Sequence, residues 1–298
     1  MTPPDILCIG SVLWDIIGRT EAPLRSRGDV AGRITRLPGG VAMNIAMTLA
    51  RFGLNPAVLT AIGADPEGDD LVRASEALGV STLFALRPAD LPTDRYMAIE
   101  DVTGLIAAIA DAFTLEASGA AILAPLSDGR LGSAADPWPG PIALDGNLTA
   151  ELLAEIAASP LFARADLRIA PASPGKAERL IPIMRHPRAT LYVNRQEAGL
   201  IADCAPADAA EAAQALVAAG AARALVTDGA SAAADAAQGQ KLVTCAARPV
   251  QARRITGAGD TFMAAHLFAE TRGASRTEAL SRAQAAAAAY VAFEDVTP

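Results

Sequence analysis

Charge, histidine and cysteine are all scarce in this 298-residue chain. Charged residues make up 19% of it, against 52% hydrophobic ones. So apolar a chain can bury a sizeable core, which excludes intrinsic disorder. Two histidines, His186 and His266, are too few for a multi-histidine metal centre. The three cysteines, Cys8, Cys204 and Cys245, lie far apart and form no C-x-x-C pair. We expect buried thiols and a reducing, cytoplasmic location. Long hydrophobic runs are missing too. The longest, around residues 283–293, is about 11 residues and mostly alanine, too short for a membrane span. No basic leader followed by an apolar stretch opens the chain, so no export signal is expected. Basic residues are outnumbered 25 to 33, a net charge of −8. Without a basic stripe, polymeric nucleic acid is excluded as a partner. A small anion is still acceptable, because a helix N-terminus can hold one without net positive charge.

Several motifs are absent as well. There is no G-x-x-x-x-G-K-[ST], which argues against a P-loop nucleotidase. There is no G-x-G-x-x-G after a strand, which argues against a dinucleotide-dependent oxidoreductase. The G-x-S-x-G elbow of α/β-hydrolases is missing.

What remains is an alanine-rich chain, with 70 alanines, that alternates short β-rich runs with helical patterns. Strands are expected at 5–10, 57–62, 142–145, 166–170, 190–193 and 223–227. Helices are expected at 40–53, 66–78, 149–158, 173–184 and 207–219. Val41, Ile45, Leu49 and Phe52 fall on one helical face, and Gly53 is a stop signal. Such alternation predicts a parallel sheet covered on both faces. Alanine-rich residues 205–237 carry a helical period and are expected to pack. Two stretches break the alternation. Residues 11–37 hold no good helix. Residues 95–113 read as a hairpin turning at Thr103–Gly104, able to form a small extra sheet. No Pro/Gly/Ser-rich linker divides the chain, so residues 1–298 are read as one α/β domain.

Five features carry chemistry. The strongest is Thr256-Gly257-Ala258-Gly259-Asp260-Thr261-Phe262, which opens a helix. Small residues and a helix N-terminus gather N–H groups into an anion pocket, and Asp260 stands beside it as a proton acceptor. Read alone, it is equally a tight turn with an aspartate cap. In Gly39-Gly40-Val41-Ala42-Met43-Asn44, glycines enter a helix whose first turn carries a hydrogen-bonding amide. Asn194 and Glu197, at a strand end, could position water, Mg²⁺ or phosphate, or simply start a helix. Thr227-Asp228-Gly229 follows another strand and suits a nucleotide-facing turn. Asp15 follows the first strand, and strand C-terminal ends are where open α/β sheets bind ligands.

In this order and spacing, the five features resemble the phosphofructokinase-B (ribokinase-like) family of sugar and nucleoside kinases. The resemblance runs from about residue 5 to residue 293. It is carried chiefly by PGGVAMNIAMTLARFGLNPAVLTAIGADPEGD and ITGAGDTFMAA. It implies a three-layer α/β sandwich with a central, mostly parallel sheet and a small β-sheet lid, formed here by residues 11–37 and 93–113. It implies an ATP-dependent kinase using Mg²⁺. Asp260 would be the base, and Gly257, Ala258 and Gly259 the anion hole. Asp15, Gly39, Gly40 and Asn44 would hold the sugar. Asn194 and Glu197 would organise phosphate and Mg²⁺ through water, with Glu197 nearer the metal. Thr227 and Gly229 would contact ATP. Because lids in this family often pair between subunits, a homodimer is expected.

Within the family, the strings WDIIG, TDRYMAIEDVTGLIAAIADA, DGNL and PASPGKAERLIPIM look most like pseudouridine kinases. Some positions depart from the usual pattern. Arg254 stands where many members carry aspartate, in the neighbourhood that binds a monovalent cation in relatives so activated. K⁺ dependence is therefore not expected. Either Arg253 or Arg254 supplies charge locally, or both face solvent. Ala170 replaces a usual glutamate, Asp94-Arg95 interrupts a lid position usually held by small residues, and a further glycine after Gly229 is missing. His266, Met43 and Met47 read as packing, while Trp14 and Tyr96 could stack a base. Three alternatives stay open: a family kinase for ribose, adenosine or a fructose phosphate; a catalytically weak binding protein of the same fold; and, least supported, an oxidoreductase.

Overall fold

The computed structural model describes residues 3–24, 28–252 and 254–297. In chain order the elements are β1 (Ile6–Ile9), β2 (Leu13–Arg19), β3 (Arg33–Gly39), α1 (Val41–Arg51), β4 (Pro56–Leu59) and α2 (Pro66–Ala77). Then come β5 (Arg95–Asp101), β6 (Gly104–Asp111), α3 (Phe113–Ser118), β7 (Pro141–Asp145), α4 (Ala150–Ala158) and β8 (Asp166–Ala170). The chain ends through β9 (Ala189–Asn194), α5 (Arg195–Ala202), α6 (Ala209–Ala218), β10 (Arg223–Thr227), β11 (Ala233–Ala237), β12 (Val243–Cys245), α7 (Ala258–Thr271) and α8 (Arg276–Val291).

The main sheet runs β12-β11-β10-β9-β8-β7-β1-β4. From β10 to β4 every pairing is parallel, while β11 and β12 are antiparallel additions. Side chains of a strand alternate between faces, and each face has its own core. Leu7 and Ile9 point to the layer of α3, α4, α5 and α6. Ile6 and Cys8 point to the layer of α1, α2, α7 and α8. Burial on both faces explains why ILCI and ATLYV are continuous apolar runs.

The second sheet, β3-β2-β5-β6, is built from the two stretches that interrupt the alternation. Asp15 pairs with Leu37 and Tyr96, and Tyr96 with Ala110, so these four side chains share one face. The opposite face presents Ile16, Met97 and Ile109 in one row, with Ile34 and Ile99 beside them. Arg36 stands in the same row beside Ile16, but Ile34 at 79% and Ile109 at 70% exposure leave the β3 and β6 sides of this face as uncovered apolar surface. Asp94 has a structural use at the foot of the lid. Its buried carboxylate accepts from the Thr114 and Leu115 N–H groups at 2.8 and 2.9 Å, tying the start of β5 to the first turn of α3, just beyond β6.

Three expectations are corrected. Residues 174–180 form a 3₁₀ helix rather than an α-helix over 173–184. Pro174 and Pro182 lack N–H donors eight positions apart, and Pro182 clashes with continued helix. Residues 233–237 are a strand despite their alanines, because pairing with β10 and β12 overrides helix propensity. Of the cysteines only Cys8 is buried; Cys204 follows α5 on the surface and Cys245 lies on an edge strand, half-buried. Among the described residues no helix is long and apolar enough to cross a membrane.

Candidate active site

The parallel strands β1, β7, β8, β9 and β10 all end on one side of the sheet, where α/β folds open a crevice. There a cavity of about 940 Å³ lies between the strand ends, the lid and the N-terminus of α7. It is lined by Asp15, Gly40, Asn44, Asn194, Glu197, Thr227, Gly229, Gly257, Ala258, Gly259 and Asp260. Residues from far-apart segments thus meet in one site. Gly39 does not line it. A Cβ on Gly39 would fall 2.1 Å from the Asp15 carboxyl carbon, so this glycine makes room for Asp15 instead. Asp15 sits inside lid strand β2 rather than at the end of β1.

Gly257 caps α7 at φ 88°, ψ −1°, a left-handed conformation suited to glycine. The Ala258 N–H turns back to the Ile255 carbonyl at 3.0 Å. Donors free to meet an anion are therefore those of Gly257 and of the first helical turn, Gly259 and Asp260. The Asp260 carboxylate accepts from Asn44 Nδ2 at 2.8 Å. Burial pushes its pKa up to about 7; Asn44 acts the other way, while Asp145, Asp15 and Glu197 add like-charge repulsion. Burial likewise raises Asp15 to about 6.

The wall beside α1 was not foreseen. Asp145, fully buried at the end of β7, accepts from the Ser11 N–H at 2.8 Å, the Ser11 hydroxyl and the Ala42 N–H at 3.3 Å. Ser11 Oγ accepts from the Val41 N–H at 3.0 Å and from Asn147 Nδ2 at 3.0 Å. Asn147 Oδ1 in turn accepts from Lys176 Nζ at 2.7 Å. Asn147 and Lys176 both line the cavity, and Lys176 is one of only two lysines in the chain. The signal was present: these residues sit in the DGNL and PASPGKAERL strings, but nothing in the sequence says that the two strings touch.

On the other side, Asn194 and Glu197 form a capping box at the start of α5. Asn194 Oδ1 accepts from the Glu197 N–H at 2.9 Å, and Glu197 Oε2 from the Asn194 N–H at 2.8 Å. The helix-start reading and the ligand reading of this pair are thus compatible, since both residues also face the cavity. No group of three or more acidic, histidine or cysteine side chains that could hold a metal occurs among the described residues. The Asn194–Glu197 pair, one amide and one carboxylate facing the cavity, is a donor set that fits Mg²⁺, which is commonly held by one or two carboxylates, waters and substrate phosphates rather than by a protein cage. Glu197 and Asn194 would supply the protein side. Asp228, between Thr227 and Gly229, pairs with Arg195 at 2.9 Å.

Of the remaining candidates, Tyr96 lines the cavity and Trp14 does not. The Trp14 ring is buried, donates to the Glu67 carbonyl at 3.0 Å and carries Arg36 over its face. His266 is fully buried against the Tyr192 hydroxyl at 2.8 Å; burial pushes its pKa down to about 3, so it packs as a neutral ring. Met43 is in the core, and Met47 packs at its edge. Arg254 does not face solvent freely: it stacks on Tyr290. Arg253 lies outside the described residues.

The description "pfkB family carbohydrate kinase" matches residues 3–296. Over 107 residues the chain is 33% identical to pseudouridine kinase of Escherichia coli strain K12, covering 36% of this chain and 34% of that protein. Over 98 residues it is 30% identical to a nucleoside kinase of Methanothermobacter thermautotrophicus, covering 33% and 32%. The chain thus matches about a third of the length of these relatives. Among solved structures, a carbohydrate kinase from Agrobacterium tumefaciens aligns with TM-score 0.78 and 25% identity over 98% of this chain and 92% of its own. Arabidopsis thaliana ribokinase complexed with ribose and ATP aligns with TM-score 0.75 and 20% identity over 97% and 93%, a likeness of fold.

Proposed function

This chain belongs to the pfkB family of carbohydrate kinases, and we propose that it transfers the γ-phosphoryl group of ATP to the 5′-hydroxyl of a nucleoside, pseudouridine. The observation that carries the transfer is the juxtaposition of Asp260, with its pKa near 7, and the N–H groups of the α7 N-terminus in one cavity. The choice of nucleoside is supported by the pseudouridine-kinase-like strings and by the partial identity to a pseudouridine kinase.

In this reading Asp15 and Asn44 hold the sugar hydroxyls under the lid. Asp260 takes the proton of the attacking hydroxyl. The hydroxyl oxygen bonds to the γ-phosphorus while the bond to the bridging oxygen of ADP breaks, and the proton leaves Asp260 for solvent afterwards. The N–H groups of Gly257 and Gly259 stabilise charge on the transferring group. Thr227 and Gly229 lie along the nucleotide. Mg²⁺, when bound, neutralises phosphate charge. Asp260 feels like charge from Asp145, Asp15 and Glu197, which that cation would offset, and Lys176 places its amine on the same wall. The lid excludes water, so that ATP is not lost to hydrolysis. Its apolar outer face is the surface on which a second copy would dock to form a homodimer.

The test is ADP release with pseudouridine, uridine, adenosine, ribose and fructose 6-phosphate as acceptors, beside thermal shift with each. A ligand at 100 times its Kd adds about 2.7 kcal/mol of stability. Turnover with pseudouridine well above the others is expected. Turnover confined to another acceptor overturns the substrate, and ATP binding without ADP release on any acceptor overturns the transfer.

A further inference from the structure

Behind the Thr256–Asp260 turn lie two residues that the reaction as described does not use. Tyr290, near the end of α8, donates its hydroxyl hydrogen to the Thr256 carbonyl at 2.9 Å. Arg254 places its guanidinium carbon 3.5 Å from the centre of the Tyr290 ring and 4.5 Å from that of Phe293. Its Nε donates to the Tyr290 carbonyl at 2.8 Å, and its backbone N–H to the Val291 carbonyl at 3.3 Å. Neither Tyr290 nor Arg254 lines the cavity, although its neighbours Ala287, Ala288, Val291 and Ile255 do.

The chemistry of the turn gives these contacts a purpose. In a trans peptide the C=O and the following N–H point in opposite directions. Holding the Thr256 carbonyl on the Tyr290 side therefore aims the Gly257 N–H to the other side, where the cavity is. Glycine reaches positive and negative φ with similar ease, so the peptide before Gly257 has little intrinsic preference for one facing. A flipped peptide would present a carbonyl oxygen, not a donor, to a phosphoryl group. The Tyr290 ring also fills the space behind the turn: a Cβ on Gly257 would fall 2.5 Å from its hydroxyl. Burial pushes the Tyr290 pKa up, so the hydroxyl stays a donor. The cation stacked on the ring holds it in place through cation–π attraction and a backbone hydrogen bond.

We propose that Tyr290 and Arg254 are positioning residues for phosphoryl transfer, a brace that keeps the Gly257 N–H turned toward the transferred group. The proposal rests on the kinase reading above. Three variants test it: Tyr290→Phe, which removes only the hydroxyl; Arg254→Met, which removes the cation; and the double variant. Each single variant should lower kcat by about tenfold or more, as small misplacements of catalytic groups do, with both KM values within about twofold of wild type. The double variant should be no worse than the poorer single one, because the two residues act as one unit. Amide exchange over residues 255–261 should be faster in all three. Wild-type kcat in Tyr290→Phe overturns the proposal. So do multiplicative losses in the double variant, or KM values that rise along with the fall in kcat. Should the wild-type chain phosphorylate no acceptor, the kinase reading fails by itself; amide exchange then decides the brace, and unchanged exchange in Tyr290→Phe overturns it.

Discussion

The amide of Asn44 donates to the carboxylate of Asp260 at 2.8 Å, joining the first turns of two helices that lie 216 residues apart in sequence. This bond sets the protonation of the proposed base. Burial and three neighbouring carboxylates favour the neutral acid, and Asn44 opposes them. The balance leaves Asp260 near pKa 7, where a general base is most useful.

Asp260→Asn should therefore lower kcat by at least about 10² with little change in acceptor KM, because general-base help is realised in the transition state. Steady-state kinetics on both substrates checks this. A kcat within a few-fold of wild type would remove Asp260 from the mechanism.

The pH profile follows from the same group. Asp260 acts only when ionised, so kcat should rise with pH through about 7. Asn44→Ala removes a hydrogen bond that favours the carboxylate, and the rising limb should move to higher pH. An unmoved limb would detach Asn44 from the base.

Stability should run the other way. The folded-state pKa of Asp260 is raised from 3.8 to about 7, so between those values the folded chain binds more protons than the unfolded one. Folding then loses stability as pH rises across that window. Asp15, raised to about 6, adds to the loss in its lower part. Asp260→Asn cannot ionise and should lose less Tm than wild type between pH 5 and pH 8. Parallel Tm curves would contradict the raised pKa.

Arg254 already places a fixed cation beside the Thr256–Gly257 turn, held on Tyr290. Exchange of NaCl for KCl at constant ionic strength should leave kcat unchanged. Marked activation by K⁺ would show that the turn still needs an added ion.

If the uncovered lid face is where two copies meet, Ile109→Glu should give a monomer without unfolding the main sheet. Ile109 sits in the outer row with Met97 and is 70% exposed, so a charge there costs the isolated chain little. Sedimentation at micromolar concentration, with circular dichroism as the folding control, decides it. An unchanged sedimentation coefficient argues against this interface.

Much of this architecture follows from local rules. Doubly buried strands such as ILCI announce themselves as apolar runs, and the capping residues Asp65, Thr149 and Asp208 mark helix starts. Gly39, Gly40, Gly257 and Gly259 and the acidic residues near them were legible because turn chemistry is local. Tertiary contacts decided the rest. Ala233–Ala237 is a strand because β10 and β12 pair with it. Gly39 serves Asp15 rather than the ligand because of a carboxylate 24 positions earlier in the chain. Lys176 reaches Asn147 across the β7–α4–β8 crossover, and Tyr290 reaches Thr256 from the last helix. Which residues could do chemistry was written in residue types and their spacing. Which way each points, and how strongly each holds its proton, depends on burial and on neighbours distant in sequence, and only the packed fold supplies these.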